Sequence, residues 1–279
     1  MLFGSILEKA GIKCFFVIVF SENHGGREMK PILLIIGILL VIFQAEANTL
    51  KLVTLESPPA EFTLDGKSTG RNVEIAQECL KRMGFNSDVV IVPWKRALIM
   101  VKAGTADAII DAAYNTDRAE FLYYPDEEIY VEEWYAFKRK EDVLTFDREL
   151  TNVGSYTLGI SRGFEYGGLV QEAINKRLFK NLQEVSNNEM NISKLMAKRF
   201  DVFVGVKLTI QNLLQKMGYT NNIEIVQMTE TKRPYLLSSS KTYVAFSKKT
   251  MTKDMADLFS TTLKEMKVDG TVDLIEIKY

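Results

Sequence analysis

The stretch from Pro93 to Pro125, PWKRALIMVKAGTADAIIDAAYNTDRAEFLYYP, constrains the fold more than any other part of the chain. It reads as a helix over Trp94 to Ala103, a helix-stopping Gly104, a buried strand over Ala106 to Ala112, and a polar turn carrying Arg118. Gly104 suits the left-handed position that ends a helix. The apolar run Ala108-Ile109-Ile110, entered through Asp107, suits a parallel strand covered on both faces. Ligands of open α/β sheets bind at the carboxyl ends of such strands. Arg118 lies just past that end, where its guanidinium fork can grip a carboxylate in two parallel hydrogen bonds. The plain alternative is a surface Arg paired with Asp117 or Glu120.

Strand and helix signals continue to alternate on both sides of this unit. Leu50 to Leu55 reads as a first strand, and Asp65-Gly66 as a turn. Asn72 is a candidate cap for a helix over Val73 to Met83, with Val73, Ala76, Leu80 and Met83 on one stripe and Cys79 beside it. Val89 to Val92 is the next strand. After the aromatic-rich extended segment Glu132 to Lys138, a crossing between lobes, a second set begins with the strand Tyr156 to Ser161. The turn Arg162 to Gly167 leads into a helix reaching about Phe179. Further strands are expected at Leu182 to Val185, Asp201 to Val206, Ile223 to Gln227 and Tyr243 to Ser247. Helices are expected at Ile192 to Arg199, Leu208 to Met217, Lys253 to Val268 and Val272 to Ile277. Alternation of this kind predicts an α/β protein with parallel sheets flanked by helices, in two lobes with a cleft between them.

The N-terminal segment narrows the available chemistry. Met29-Lys30, the apolar run Ile32 to Phe43 and the Ala45-Glu46-Ala47 site describe a signal peptide cleaved after Ala47. Residues 1–28 then read as an over-extended start, with translation beginning at Met29. An uncleaved anchor and a genuine extension are the alternatives. Cleavage removes His24, the one histidine of the chain, and Cys14, so the mature chain holds a single thiol and no imidazole. Histidine triads, histidine metal sites and internal disulfides are thereby excluded. No cofactor is expected. A net charge of −1 gives no electrostatic case for nucleic acid.

Taken in order, SPP, DGKSTG, VPWKRAL, KAGTADAII, TDR, LGISRG, FDVFVG and KEMKVDGTVDLIEIKY resemble the amino-acid-binding class of bacterial extracellular solute-binding proteins, family 3, across Leu50 to Tyr279. The resemblance implies a periplasmic binding protein-like II fold whose discontinuous first lobe holds residues 48–139 and 236–279, with residues 140–235 as the second. It implies hinge closure on a small ligand, a monomer, and a membrane permease or sensor as partner. Arg118 matches the family Arg that clamps a ligand carboxylate, although the interval from Asp107 is one residue shorter than in amino-acid binders. Trp94 falls at a wall position, with core packing as its alternative. Glu56 and Ser57 fall in a loop edging the cleft, and Asp111 and Tyr114 at the strand end. Arg162, Phe164, Glu165 and Tyr166 lie on a turn into a helix N-terminus, a place that favours anions; an exposed turn is the alternative. Where amino-acid binders carry an Asp for the ligand ammonium, this chain has Val206 followed by Lys207. Asp111, Glu56 or Glu165 then supplies the counter-charge, or the ligand is not a standard α-amino acid.

These residues imply a secreted binder of a small polar or anionic metabolite. The rivals are a dehydratase-like enzyme using Glu56, Asp111 and Glu165 as acid–base groups, and a sensor module with no transporter. The exported protein is expected to begin at Asn48. N-terminal sequencing checks this, and a mature terminus upstream of Met29 contradicts it.

Overall fold

The computed structural model describes residues 49–279; the segment expected to be a signal peptide, its expected cleavage site, His24 and Cys14 lie outside the described residues. The strands are β1 (Thr49–Thr54), β2 (Phe62–Leu64), β3 (Lys67–Thr69), β4 (Asn86–Ile91), β5 (Ala108–Ala113), β6 (Leu122–Tyr123), β7 (Tyr130–Arg139), β8 (Thr145–Phe146), β9 (Thr157–Ser161), β10 (Asn181–Val185), β11 (Val202–Val206), β12 (Ile223–Ile225), β13 (Gln227–Met228) and β14 (Leu236–Ser247). The helices are α1 (Arg71–Arg82), α2 (Trp94–Ala103), α3 (Thr116–Ala119), α4 (Gly168–Asn175), α5 (Asn188–Met196), α6 (Lys207–Met217), α7 (Lys253–Val268) and α8 (Thr271–Glu276).

Two parallel α/β halves are stitched together by two long antiparallel strands. The main sheet runs β10-β9-β11-β7-β14-β5-β1-β4. β1 pairs in parallel with β4 and β5, and β9 with β10 and β11. Between these sets, β7 and β14 pair antiparallel with each other, β14 also with β5, and β7 also with β11. The sheet is therefore mixed, where alternation alone predicts parallel pairing. The reason is that β7 and β14 cross between the lobes in opposite directions, and antiparallel partners need no crossover helix between them. Both lobes are α/β, and the first is discontinuous in sequence.

The core divides in the same way. Leu52, Ile75, Leu80, Ile110, Phe246, Phe259 and Leu263 are fully buried in one cluster of the first lobe, with Val53, Trp94, Ala97 and Ile109 in another. Phe146, Leu158 and Val202 pack in one cluster of the second lobe, and Phe137, Phe203 and Ile210 in another. Phe164 packs against clusters of both lobes.

Local signals act much as their chemistry requires. Gly104 and Gly218 end α2 and α6 in the left-handed conformation, at φ 75° and 76°. Asn187 and Thr252 cap α5 and α7 through their side chains. Cys79 is wholly buried, its thiol donating to the Phe259 carbonyl, and burial pushes that thiol up. Asn72 departs from expectation. α1 starts one residue earlier than Asn72, at Arg71 behind Gly70, and Asn72 sits inside the helix with its amide bonded to carboxylates rather than capping.

Gly70 is required where it stands. Its φ is 121°, and a Cβ there would lie 2.3 Å from the Ala60 carbonyl oxygen, with no side chain able to give way. This contact joins the start of α1 to the loop bearing Glu61. Gly70→Ala is expected to destabilise the protein by about 2–4 kcal/mol, read as a lower urea midpoint with unchanged slope; a midpoint equal to the parent's refutes the assignment.

Candidate functional site

The carboxyl end of β5, the loop after β1 and the turn after β9 meet over one cavity between the lobes. It is lined by Ser57, Trp94, Asp111, Arg118, Glu132, Trp134, Phe164, Glu165, Asn188 and Val206, with Leu55 and Ala113. The space open to the centres of water-sized molecules is about 40 Å³, room for roughly three waters. The lobes are closed on a volume suited to a small head group.

Four hydrogen bonds hold that closure. The Gly163 carbonyl accepts from Trp94 Nε1 at 3.0 Å and from Arg118 Nη2 at 3.0 Å. Asn115 Nδ2 donates to Glu165 Oε2 at 3.1 Å, and Ser57 Oγ shares a hydrogen bond with Thr209 Oγ1 at 2.9 Å. Asn115 also caps α3, its Oδ1 accepting from the Arg118 backbone N–H. One side chain thus positions Arg118 and reaches the second lobe. Phe164 lies edge-on to both Trp94 and Trp134, at 6.5 and 6.0 Å between centroids.

Arg118 is not the surface residue of the plain alternative. It is 6 % exposed, so it is neither a solvated side chain nor a partner of Asp117 or Glu120. Its Nη1 donates to the Ala113 carbonyl at 2.9 Å, and its guanidinium lies 5.5 Å from the Trp94 ring. Among the described residues no carboxylate lies within ion-pair distance of it. Burial pulls the guanidinium below its usual value, offset by Tyr124, Glu165 and Glu132; it stays charged in any case.

Opposite Arg118 the cavity floor is acidic. Asp111 ends β5 with φ 69°, and Glu132 stands on β7; both are buried. Behind them lies Glu61, fully buried. Asn72 Nδ2 donates to Glu61 Oε1 at 2.6 Å and to Asp111 Oδ1 at 3.3 Å. Arg71 supplies the nearby positive charge, its guanidinium 3.3 Å from the Tyr130 ring centre. Burial holds Glu61 well above the usual carboxylate range, reinforced by Asp111 and opposed by Asn72 and Arg71. Glu132 is raised likewise by burial, then by Asp111 and Glu61. Asp111 is raised by burial, against hydrogen bonding from Thr242 and the charge of Arg71.

Of the expected residues, Ser57, Trp94, Asp111, Arg118, Phe164 and Glu165 come together around the cavity. The others lie elsewhere. Glu56 lines a neighbouring groove and accepts from the Thr63 N–H and hydroxyl. Tyr114 is 57 % exposed and packs edge-on to Tyr124. Arg162 is exposed and paired with Glu184. Tyr166 is a core residue, its hydroxyl accepting from the Ser161 N–H at 2.6 Å. Lys207 stands 5.6 Å from the Tyr135 ring, on a separate surface groove. α4 begins at Gly168, so the turn from Arg162 to Tyr166 does not present helix N–H groups to the cavity. Val206 does line it, as an apolar wall.

Glu132, Trp134 and Asn188 escaped the sequence reading. The first two had a signal. Residues 130–134 alternate, with Glu132 on the buried face beside Trp134 while Val131 and Glu133 are exposed. An acid in phase with a buried aromatic marks a strand whose inner face meets a polar site.

Comparison with known proteins agrees with this architecture. A curated L-cystine-binding protein, TcyA of Bacillus subtilis, is 26% identical over 213 residues, covering 76% of this chain and 73% of that one. A probable histidine-binding protein of Campylobacter jejuni is 26% identical over 246 residues, covering 84% and 87%. A histidine kinase sensor domain with similarity to periplasmic binding proteins superposes with a TM-score of 0.70 at 18% identity, covering 84% of this chain and 97% of that one, which is a likeness of fold. Residues 50–279 match the bacterial extracellular solute-binding proteins, family 3, and the chain belongs to that family.

Proposed function

We propose that the protein is an exported, non-enzymatic solute-binding protein that captures a small polar or anionic, amino-acid-like metabolite in the interlobe cavity and passes it to an ABC transporter permease. In this reading residues 48–139 and 236–279 form the first lobe and 140–235 the second, and the mature chain begins at Asn48. The observation that carries it is Arg118: a buried guanidinium at the cavity wall without a carboxylate partner among the described residues. Buried charges are normally paired, and a ligand carboxylate completes this one. Ser57, Trp94, Phe164 and Glu165 complete the contact surface. The extracellular family and the amino-acid-binding relatives support the same role. Delivery to a sensor is the second reading, favoured by the shared fold of the kinase sensor domain.

A thermal-shift panel of amino acids, dicarboxylates, polyamines and short peptides tests the proposal. A ligand at 100 times its Kd adds about 2.7 kcal/mol; a panel without any shift contradicts it. Arg118→Lys keeps the charge and loses the fork. It is expected to weaken the best binder by about 1.5–3 kcal/mol, roughly ten- to a hundredfold, by calorimetry. It is also expected to melt somewhat lower, because the Gly163 and Ala113 carbonyls lose a donor. Parent-like affinity shows that Arg118 has a structural role alone. Small-angle scattering is expected to report a smaller radius of gyration on saturation; an unchanged radius opposes hinge closure.

A further inference from the structure

Asp111 and Glu132 are both buried and line the floor of the same cavity, and each bears on the other's ionisation. The groups that face this pair are Glu61 from the loop before β2, Arg71 and Asn72 from α1, Thr242 from β14, and, across the cavity, Arg118 from α3 and Glu165. Three buried carboxyls therefore share one guanidinium behind them. Two carboxyls in contact in a low-dielectric site do not both ionise, and an O–H···O bridge holding one proton is the stable arrangement. Burial raises each of the three, in keeping with that bridge.

A second feature points to a ligand and does not depend on the acids. Trp134 and Asn188 are each 4 % exposed and line the same cavity. Among the described residues neither the Trp134 indole N–H nor the Asn188 amide oxygen has a hydrogen-bond partner. An unmet donor asks for an acceptor and an unmet acceptor for a donor. A molecule with both poles answers both: a carboxylate for Arg118 and Trp134, an ammonium for the acid pair and Asn188.

We propose that Asp111 and Glu132 form the subsite for the ammonium group of a zwitterionic, amino-acid-like ligand, and that the ammonium displaces the proton the two carboxyls share. The proposal rests on the reading of the cavity as the solute site. The bridging O–H bond breaks, its proton leaves to solvent, and the ammonium keeps its hydrogens and donates to both carboxylates. The acidic contact thus comes from the first lobe and its crossing strand, and Val206 needs no charge. Because binding releases a proton, affinity rises with pH while the free pair still holds that proton, by up to about tenfold per pH unit, and levels off once the pair is ionised.

The test is calorimetry of the full mature protein at about pH 6, in buffers of different ionisation enthalpy. The probes are the proteinogenic L-amino acids and L-cystine, each monoamino acid with the 2-hydroxy acid of the same side chain, with dicarboxylates and polyamines beside them. The best amino acid is expected to release about one proton and to bind at least roughly thirtyfold better than its hydroxy acid. Glu132→Gln is expected to lose about ten- to a hundredfold in affinity and to abolish the proton release. Asp111→Asn, which tolerates the positive φ, is expected to do the same. The proton count on the parent protein stands even if both variants fold poorly. Amino-acid binding without proton release, or a hydroxy acid binding as well as its amino acid, overturns the proposal. Binding of a dicarboxylate or polyamine in place of every amino acid overturns it too, yet leaves the solute-binding reading intact; binding of no compound at all removes that reading as well.

Discussion

Three carboxyls and a guanidinium buried beneath one cavity are the constraint to which the rest of the site answers. Moving an ionised carboxylate out of water costs several kcal/mol even after relaxation. Glu61, Asp111 and Glu132 are all removed from solvent, with Arg71 behind them and Arg118 across the cavity as the facing positive charges. Carboxyls raised in this way favour the folded state below the unfolded carboxylate range and oppose it as pH rises through their folded values. A cation that enters the cavity favours the ionised forms of these carboxyls. Asn72 shows how tightly this is arranged: one amide group, fixed inside α1, bonds two of the three acids.

Closure is built from weaker pieces placed around that charge. The Gly163 carbonyl accepts from Trp94 and Arg118, so one peptide oxygen of the second lobe meets two side chains of the first. Gly163 adopts φ 81°, a conformation that glycine takes without strain. Each bond is worth about 1 kcal/mol, with those to Arg118 somewhat more. A handful of such bonds gives a closed state that a ligand can bias without locking. The ligand's own contacts then decide how far the balance moves.

Much of this architecture is legible in the sequence because local chemistry and tertiary role coincide. The helices Trp94–Ala103 and Lys253–Val268 fall where apolar periodicity and flanking turn residues put them. Asp111, Arg118, Phe164 and Glu165 stand where strand-end logic and the family resemblance lead. Other residues carry no such local mark. Asn72 has the composition of a cap but is claimed by acids distant in sequence, a tertiary demand that overrides its local preference. Arg162 and Lys207 look like cleft cations, yet each finds a surface partner first, Glu184 and the Tyr135 ring. For Glu132 the alternation of residues 130–134 marks an inner face, but what that face meets is set by the crossing of β7 between the lobes. Long-range pairing decides such positions, and a window of neighbouring residues does not contain it.

The central claim is that the carboxyls of the cavity floor hold a proton more tightly than ordinary carboxyls do. Carboxyl-carbon NMR of the ligand-free mature protein, labelled at Asp and Glu and assigned with Glu61→Gln, Asp111→Asn and Glu132→Gln, reads this directly. The account predicts that at least one of these three carboxyls keeps a protonated chemical shift at about pH 6, where ordinary carboxyls are ionised. Three fully ionised resonances at that pH would contradict it.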